Sequence, residues 1–185
     1  MPWPGEPARA YTLRLSQQKA RAALPLAGEC ALVLAADTTV ADGDVILGKP
    51  SDVAEAWDML RRLRGRTHQV YTALTLIQVT TDALTSEVAV TDVPMRLYSD
   101  AEIAAYIASG DPFDKAGGYA IQHRGFQPAV LTSGCFANVV GLPLCHLLRA
   151  LRRLGMDAQT DVPAACQSFF AYECDVTEAI LADMA

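Results

Sequence analysis

No apolar run in this chain approaches the roughly 20 residues that a membrane-spanning helix needs. The N-terminus, Met-Pro-Trp-Pro-Gly-Glu, has no basic start followed by an apolar stretch, so it carries no recognisable secretory signal. Positive charge is scarce. Fifteen Lys and Arg stand against 21 Asp and Glu, a net −6, which leaves no basic excess of the kind that broad nucleic-acid binding requires. A small polyanion held by a few placed lysines stays within reach. The five cysteines, Cys30, Cys135, Cys145, Cys166 and Cys174, are odd in number and form no Cys-x-x-Cys pair. They read as buried or free thiols in a reducing compartment, which points to the cytoplasm. His123 and His146 lack metal-pair spacing with any carboxylate and read as structural. The chain shows no internal repeat and no low-complexity segment.

What is present describes a globular protein. The 185 residues are 51% hydrophobic and 19% charged, enough for one domain with a real core, or one domain with a tail. The chain is organised around Leu32–Pro50, LVLAADTTVADGDVILGKP. An apolar run from Ala31 to Ala36 reads as a buried strand. It ends in Asp37-Thr38-Thr39, which puts a carboxylate and two hydroxyls at a strand end, where open α/β sheets place ligand chemistry. A turn at Ala41–Asp44 and a short return at Val45–Leu47 lead to Gly48-Lys49-Pro50. An acid and an amine thus sit on adjacent pieces of backbone, although a surface turn with a solvated lysine fits that pattern equally well.

Ala8–Leu24 reads as a helix with Tyr11, Leu15, Gln18 and Ala22 on one side and Lys19 at the border. Ser51–Leu63 is a second helix. Asp52 and Glu55 have capping-box spacing, Val53, Ala56, Trp57, Leu60 and Leu63 form the apolar stripe, and Gly65 ends it. Arg61, Arg62, Arg64 and Arg66 fit a solvated face better than a phosphate patch. The β-branched segments Thr67–Val79 and Glu87–Tyr98 read as a hairpin, with Pro94 at a bulge or edge. Ser99 and Glu102 form a capping box that opens another helix, stopped by Gly110.

The second chemical stretch is Asp111–Gln127, DPFDKAGGYAIQHRGFQ. Paired glycines beside Asp114-Lys115 let backbone approach a ligand and free N–H groups for an anion. Tyr119–Gln122 reads as a short strand. Gln122 carries both a donor and an acceptor, a match for the edge of a pyrimidine, or equally for a neighbouring backbone. Ala129–Thr132 reads as a strand and Ser133–Asn138 as a loop. A helix then starts at Gly141-Leu142-Pro143, with Leu144, Leu147, Leu148, Leu151 and Leu154 as its core face and Gly155 at its end. Beyond Met156 one more helix is expected near Thr177–Met184.

The motifs AADTTV, ILGKP, DKAGGYAIQ and NVVGLPL, in this order and spacing, resemble the Maf family of nucleoside triphosphate pyrophosphatases, proteins structurally akin to the inosine triphosphatase group. The resemblance runs from about Gly5 to Gly155. It implies a Maf-like domain over residues 1–155 and leaves 156–185 as a tail. The implied fold is α/β: a mixed, twisted sheet flanked by helices, two-lobed with a central cleft. The threonine after the aspartate and the glutamine after isoleucine resemble the branch acting on dTTP and UTP. The implied catalytic residues are Asp37, as proton acceptor and ligand of a divalent cation (Mg²⁺ or Mn²⁺), and Lys49. Thr38 and Gln122 are implied to select the base, and Lys19 and Lys115 to face the triphosphate with Lys49. The reaction would be hydrolysis of an acid anhydride, giving the monophosphate and pyrophosphate, with modified pyrimidine nucleotides as further substrates and a homodimer as the assembly.

Proteins of this family begin with a strand, a Ser-rich loop with paired arginines, and an acidic residue ahead of the segment equivalent to Gly5-Glu6-Pro7. That pattern does not precede Gly5 here. The resemblance therefore implies a missing sheet edge, a missing arginine pair and one metal carboxylate fewer. On that footing the alternative is a nucleotide-binding or regulatory module without turnover.

Overall fold

An antiparallel hairpin forms the spine of the molecule. Its strands, β3 (Thr67–Gln78) and β4 (Ala83–Pro94), pair along their full length, from Thr67 opposite Pro94 to Gln78 opposite Ala83. Their β-branched composition suits a pleated, buried surface. The tight turn between them is made possible by Asp82 at φ 55°. β1 (Leu32–Asp42) adds to the other edge of β3, and β2 (Val45–Leu47) folds back on β1, giving the order β2-β1-β3-β4. The computed structural model describes residues 1–28, 32–130 and 133–182. Among these, every strand pairing is antiparallel, within the α/β arrangement of a sheet flanked by helices.

β1 is longer than the expected run. It continues through Asp37-Thr38-Thr39, because the ladder with β3 runs unbroken from Leu32 opposite Gln78 to Ala41 opposite Gln69. Asp37 is therefore a mid-strand residue and not a strand-end one. Ala31, the expected first residue, and Cys30 lie outside the described residues.

α1 (Ala8–Ala23) packs across one face of β1 and β3. Its buried side is Thr12, Ser16 and Ala20, not the expected Tyr11, Leu15, Gln18 and Ala22. Small side chains four residues apart let the helix sit close to the sheet, and Ser16 Oγ reaches Thr75 Oγ1 at 2.8 Å. The opposite face of the sheet carries the main core. α2 (Val53–Leu63) contributes Ala56, Met59, Leu60 and Leu63, and α3 (Asp100–Ala108) contributes Ile103, Tyr106 and Ile107. Each of the larger apolar side chains buried here stabilises the fold by about 1.5–3 kcal/mol relative to exposure.

The caps follow the local chemistry. Ser99 and Glu102 complete the capping box of α3. Asp52 accepts from Glu55 N–H at 2.8 Å, but the Glu55 carboxylate turns to Ser51 instead, so that box is half formed. Val53 is solvent-exposed, and Met59 takes the buried place expected for it. The arginines of the last turn of α2 and its exit loop are structural: Arg62 and Arg66 pair with the buried Asp42, and Arg61 and Arg64 with Asp100.

The C-terminal half departs furthest from expectation. The expected loop at 133–138 runs into a one-turn helix, α4 (Phe136–Val140), which ends at Gly141 with φ 109°. α5 (Leu144–Arg153) follows, with Cys145, His146, Leu148, Arg149 and Ala150 buried. Of the expected leucine row only Leu148 is fully buried, because α5 lies on β4 through a charged contact. Buried Glu87 takes Arg149 at 2.5 Å and Arg153 at 2.6 Å. Of the expected strand at 129–132, Ala129 makes one isolated bridge to Met95, and Leu131 and Thr132 lie outside the described residues. The tail forms α6 (Val162–Phe170), which was not expected, and α7 (Thr177–Ala182), which was; Met184 lies outside the described residues. The tail folds back on the domain. Asp175 takes Ser133 and Gly134, and Arg149 donates to the Ile180 carbonyl at 2.9 Å.

Candidate active site

Two backbone segments converge beside β1. The β2–α2 loop carries Gly48-Lys49-Pro50. A pair of 3₁₀ turns, Asp111–Asp114 and Ala116–Gly118, carries Lys115. The loops are joined by the Gly117 N–H, which donates to the Gly48 carbonyl at 2.9 Å. Gly117 has φ 72°, and a Cβ there would lie 2.9 Å from Cγ1 of Val40 on β1. Only glycine accommodates both the left-handed backbone and that approach. The paired glycines thus clamp the Lys115 loop against the strand that carries Asp37.

The result is a cleft of about 270 Å³, into which Lys19, Asp37, Thr38, Lys49, Asp114 and Lys115 all project. Its uncharged walls are Ala36, Val40, Val70, Ala116, Tyr119 and two residues of α4, Val139 and Val140. Asp37 and Lys115 share one cavity, although they come from segments far apart in the chain. Asp37 is 9% exposed and pairs with the ammonium of Lys19, whose side chain is 57% exposed. Lys115 pairs with Asp114 at 2.5 Å and Asp111 at 3.3 Å. The Asp114 carboxylate, aided by Asp111, raises the Lys115 pKa, so the amine stays cationic through neutral pH. The cleft therefore holds three cations against two carboxylates, in a chain of net charge −6. That is a local bias toward a polyanion.

Behind the cleft the residues are held by buried polar contacts. Tyr119 bonds to His68 Nε2 at 2.7 Å. Burial drives the His68 pKa down to about 4 and the Tyr119 pKa up, so this pair is neutral. The Tyr106 hydroxyl donates to Asp111 at 2.6 Å and accepts the Ala120 N–H at 3.0 Å, fixing the loop on both sides of Lys115. α4 is anchored by Asn138, fully buried, whose amide donates to the Val70 carbonyl at 3.0 Å and to Thr91 Oγ1 at 2.9 Å. The Asn138 backbone carbonyl in turn accepts the hydroxyl of Thr72 at 2.9 Å.

Gln122 is the expected site residue that the structure does not bring to this cleft. It is exposed on a turn and is absent from the cleft lining. The strand expected over Tyr119–Gln122 is replaced by that turn, because the His123 N–H closes back onto the Ala120 carbonyl at 3.1 Å. His123 is structural, as expected: its Nδ1 accepts the Phe126 N–H at 2.9 Å. Sequence reasoning missed Thr72, Asn138, Tyr119 and the two valines of α4 as parts of the site. The signal available for Asn138 was a polar residue inside the apolar NVVGLPL motif.

As a cation site the cleft is sparse. The described residues hold no group of three His, Cys, Asp or Glu placed to bind a metal ion. Its two carboxylates are each paired with a lysine, Asp37 with Lys19 and Asp114 with Lys115. That donor set fits a hard divalent cation whose remaining ligands are water and the oxygens of a bound phosphate.

The profile of the Maf-like proteins matches residues 2–154. A protein of Anaeromyxobacter dehalogenans (strain 2CP-1 / ATCC BAA-258), named dTTP/UTP pyrophosphatase, is 44% identical over 163 residues, covering 86% of this chain and 81% of its own. A protein of the same name from Carboxydothermus hydrogenoformans is 46% identical over 143 residues, covering 77% and 76%. One from Myxococcus xanthus is 46% identical over 155 residues, covering 84% and 77%.

Proposed function

This chain belongs to the Maf family, and from that premise we propose that it is a nucleoside triphosphate pyrophosphatase acting on dTTP and UTP, including modified forms of these pyrimidine nucleotides. The observation that carries the reading is the meeting of Lys19, Lys49 and Lys115 with one carboxylate, Asp37, in a single cleft. A triphosphate carries about four negative charges near neutral pH, and the transition state moves more charge onto the leaving pyrophosphate. Preorganised ammonium groups stabilise that charge better than water, which must reorganise.

In this reading Asp37 takes the proton of a water molecule as it attacks the α-phosphorus. The water oxygen bonds to the α-phosphorus, the bond to the bridging oxygen breaks, and pyrophosphate leaves. In the same reading Lys49 and Lys115, which both line the cleft, neutralise the departing charge. Lys19, already paired with Asp37, holds the carboxylate oriented and adds a third cation. A Mg²⁺ or Mn²⁺ ion would be held by Asp37 and the substrate's phosphate oxygens, and when bound it supplies charge neutralisation at the phosphates.

The free thiols Cys135, Cys145, Cys166 and Cys174 support a reducing, cytoplasmic setting. No described helix is long and apolar enough to cross a membrane.

Turnover of UTP in water enriched in heavy oxygen tests the reading. The label is expected in UMP, with unlabelled pyrophosphate as co-product, and turnover is expected to require added Mg²⁺ or Mn²⁺. Release of UDP and inorganic phosphate, or binding of UTP without turnover, would contradict it.

A further inference from the structure

The tail is built onto the helix that carries Val139 and Val140 into the cleft. Asn138 fastens α4 to the sheet from inside. From outside, α4 is held by the tail. Phe136, in its first turn, packs on the rings of Phe170 and Tyr172, with centroids 5.1 and 5.6 Å away. Just ahead of α4, Ser133 Oγ and the Gly134 N–H donate to the Asp175 carboxylate at 2.6 and 2.8 Å. The tail backbone that brings these groups there is itself fixed. Ala171 takes a left-handed turn at φ 48°, the Tyr172 N–H returns to the Gln167 carbonyl at 3.2 Å, and the Cys174 N–H donates to Gln167 Oε1 at 2.9 Å.

The seam between tail and domain is apolar and closed. Cys135 and Cys145 of the domain meet Cys166 and Cys174 of the tail there, and about 10 Å³ of space remains, room for one water molecule at most. Thiols so placed pack as small apolar groups. Burial pushes the Cys135 thiol up to about 12 and raises Cys145 as well, so both are unreactive while the tail is docked. α4 spans five residues, and Val139 and Val140 follow Phe136 by one turn. So short a helix moves as one piece, and the seat of Phe136 sets the place of the two valines. The charged groups of the cleft suit phosphates, which leaves this valine wall as the apolar surface for a nucleoside.

We infer that the tail belongs to the substrate site: Phe170, Tyr172 and Asp175 are positioning residues that seat α4, and with it the valine wall, so that tail docking and nucleotide binding strengthen each other. The inference rests on the nucleoside triphosphate reading above and extends the site beyond residues 2–154, the part that the family profile matches. Such coupling is reciprocal: whatever tail docking adds to nucleotide affinity, the nucleotide adds to tail docking.

The test uses the four-cysteine seam as its reporter. Labelling of Cys135 by N-ethylmaleimide, read by mass spectrometry, measures undocking of the tail. The ligand is UTP with a methylene group between its α- and β-phosphorus, which cannot be cleaved at that bond. It is expected to slow Cys135 labelling in the natural chain by about fivefold or more. Phe170→Ala and Asp175→Ala, each checked for folding by thermal melting, are expected to speed the labelling and to raise KM for UTP by a similar factor, with little change in kcat. Inhibition by inorganic tripolyphosphate, which has no nucleoside, is expected to stay as it was. D175N keeps an acceptor for the Gly134 N–H and a donor for the Ser133 oxygen, and is expected to restore KM. A merely structural tail would lower the melting temperature and leave KM alone. Faster labelling with unchanged KM overturns the inference, as does labelling of the natural chain that the analogue fails to slow. Tripolyphosphate inhibition that weakens along with KM overturns it too, because the effect then lies at the phosphates. A natural chain that binds the analogue without turning over UTP contradicts the proposed reaction alone, and the dissociation constant then takes the place of KM. A folded natural chain that does neither overturns both.

Discussion

Lys19 and Asp37 belong to different elements, a helix and a strand, yet the ammonium of one closes on the carboxylate of the other. The lysine is mostly exposed and the aspartate mostly buried. An ion pair with one exposed partner contributes little to stability, about 0–1 kcal/mol. Lys19→Ala is therefore expected to move the unfolding free energy by less than about 1 kcal/mol. It is expected to lower kcat/KM for UTP by about 10–100-fold, because it removes a preorganised cation from the cleft. Chemical denaturation and steady-state kinetics on the same preparation separate the two effects. A large loss of stability with unchanged kcat/KM would make the pair a structural clamp.

Gly117 and Gly43 both have positive φ, at 72° and 61°, but their surroundings differ. A Cβ at Gly117 strikes Val40, whereas a Cβ at Gly43 meets open space. Gly117→Ala is expected to cost about 2–4 kcal/mol, from backbone strain plus overpacking, and to displace Lys115 so that turnover falls with stability. Gly43→Ala is expected to cost about 1–2 kcal/mol through strain alone and to leave turnover intact. Equal losses in the two variants would refute the clamp assigned to the paired glycines.

Two buried histidines set a pH limit on the fold. Burial lowers the pKa of both His68 and His146 from 6.5 to about 4. The unfolded chain therefore binds more protons than the folded one between those values. The stability held by these residues is complete above pH 6.5 and is lost as pH falls toward 4. Each histidine contributes a slope approaching about 1.4 kcal/mol per pH unit inside that window. Urea midpoints measured between pH 7.5 and 5 are expected to fall, and a His68→Gln, His146→Gln double variant is expected to flatten the profile. A flat profile in the natural chain would contradict the buried, neutral assignment.

The local elements were legible because their signals are short-range. Ser99 with Glu102, the β-branched hairpin, and the Gly43-Asp44 turn each declare themselves within a few residues, and each is present. Asp37, Thr38, Lys49 and Lys115 were also legible through the order of their motifs, and Lys19 through the family resemblance alone; all five line one cleft. What was hidden depends on contacts across the chain. The inward face of α1 is small and polar because the sheet lies so close, which no hydrophobic stripe reveals. The inward face of α5 follows Glu87, 62 residues earlier for Arg149, and takes only Leu148 from the expected leucine row. Gln122 read as a site residue from its motif, but the turn that exposes it is set by the preceding loop. Thr72 looks in the sequence like any strand threonine. Its place in the site depends on meeting Thr38 across the ladder and Asn138 from α4.

Pyrophosphate release from UTP and dTTP by this chain, measured beside Asp37→Asn in the presence of Mg²⁺, tests the central claim most directly. The substitution keeps the shape of the side chain but removes the base and the anion. The account expects the natural chain to release pyrophosphate and the variant, folded and with a similar melting temperature, to lose about 10²–10⁴ in kcat. Release that persists in the variant would contradict the role given to Asp37. No release from a folded natural chain would leave the cleft as a nucleotide-binding site without turnover.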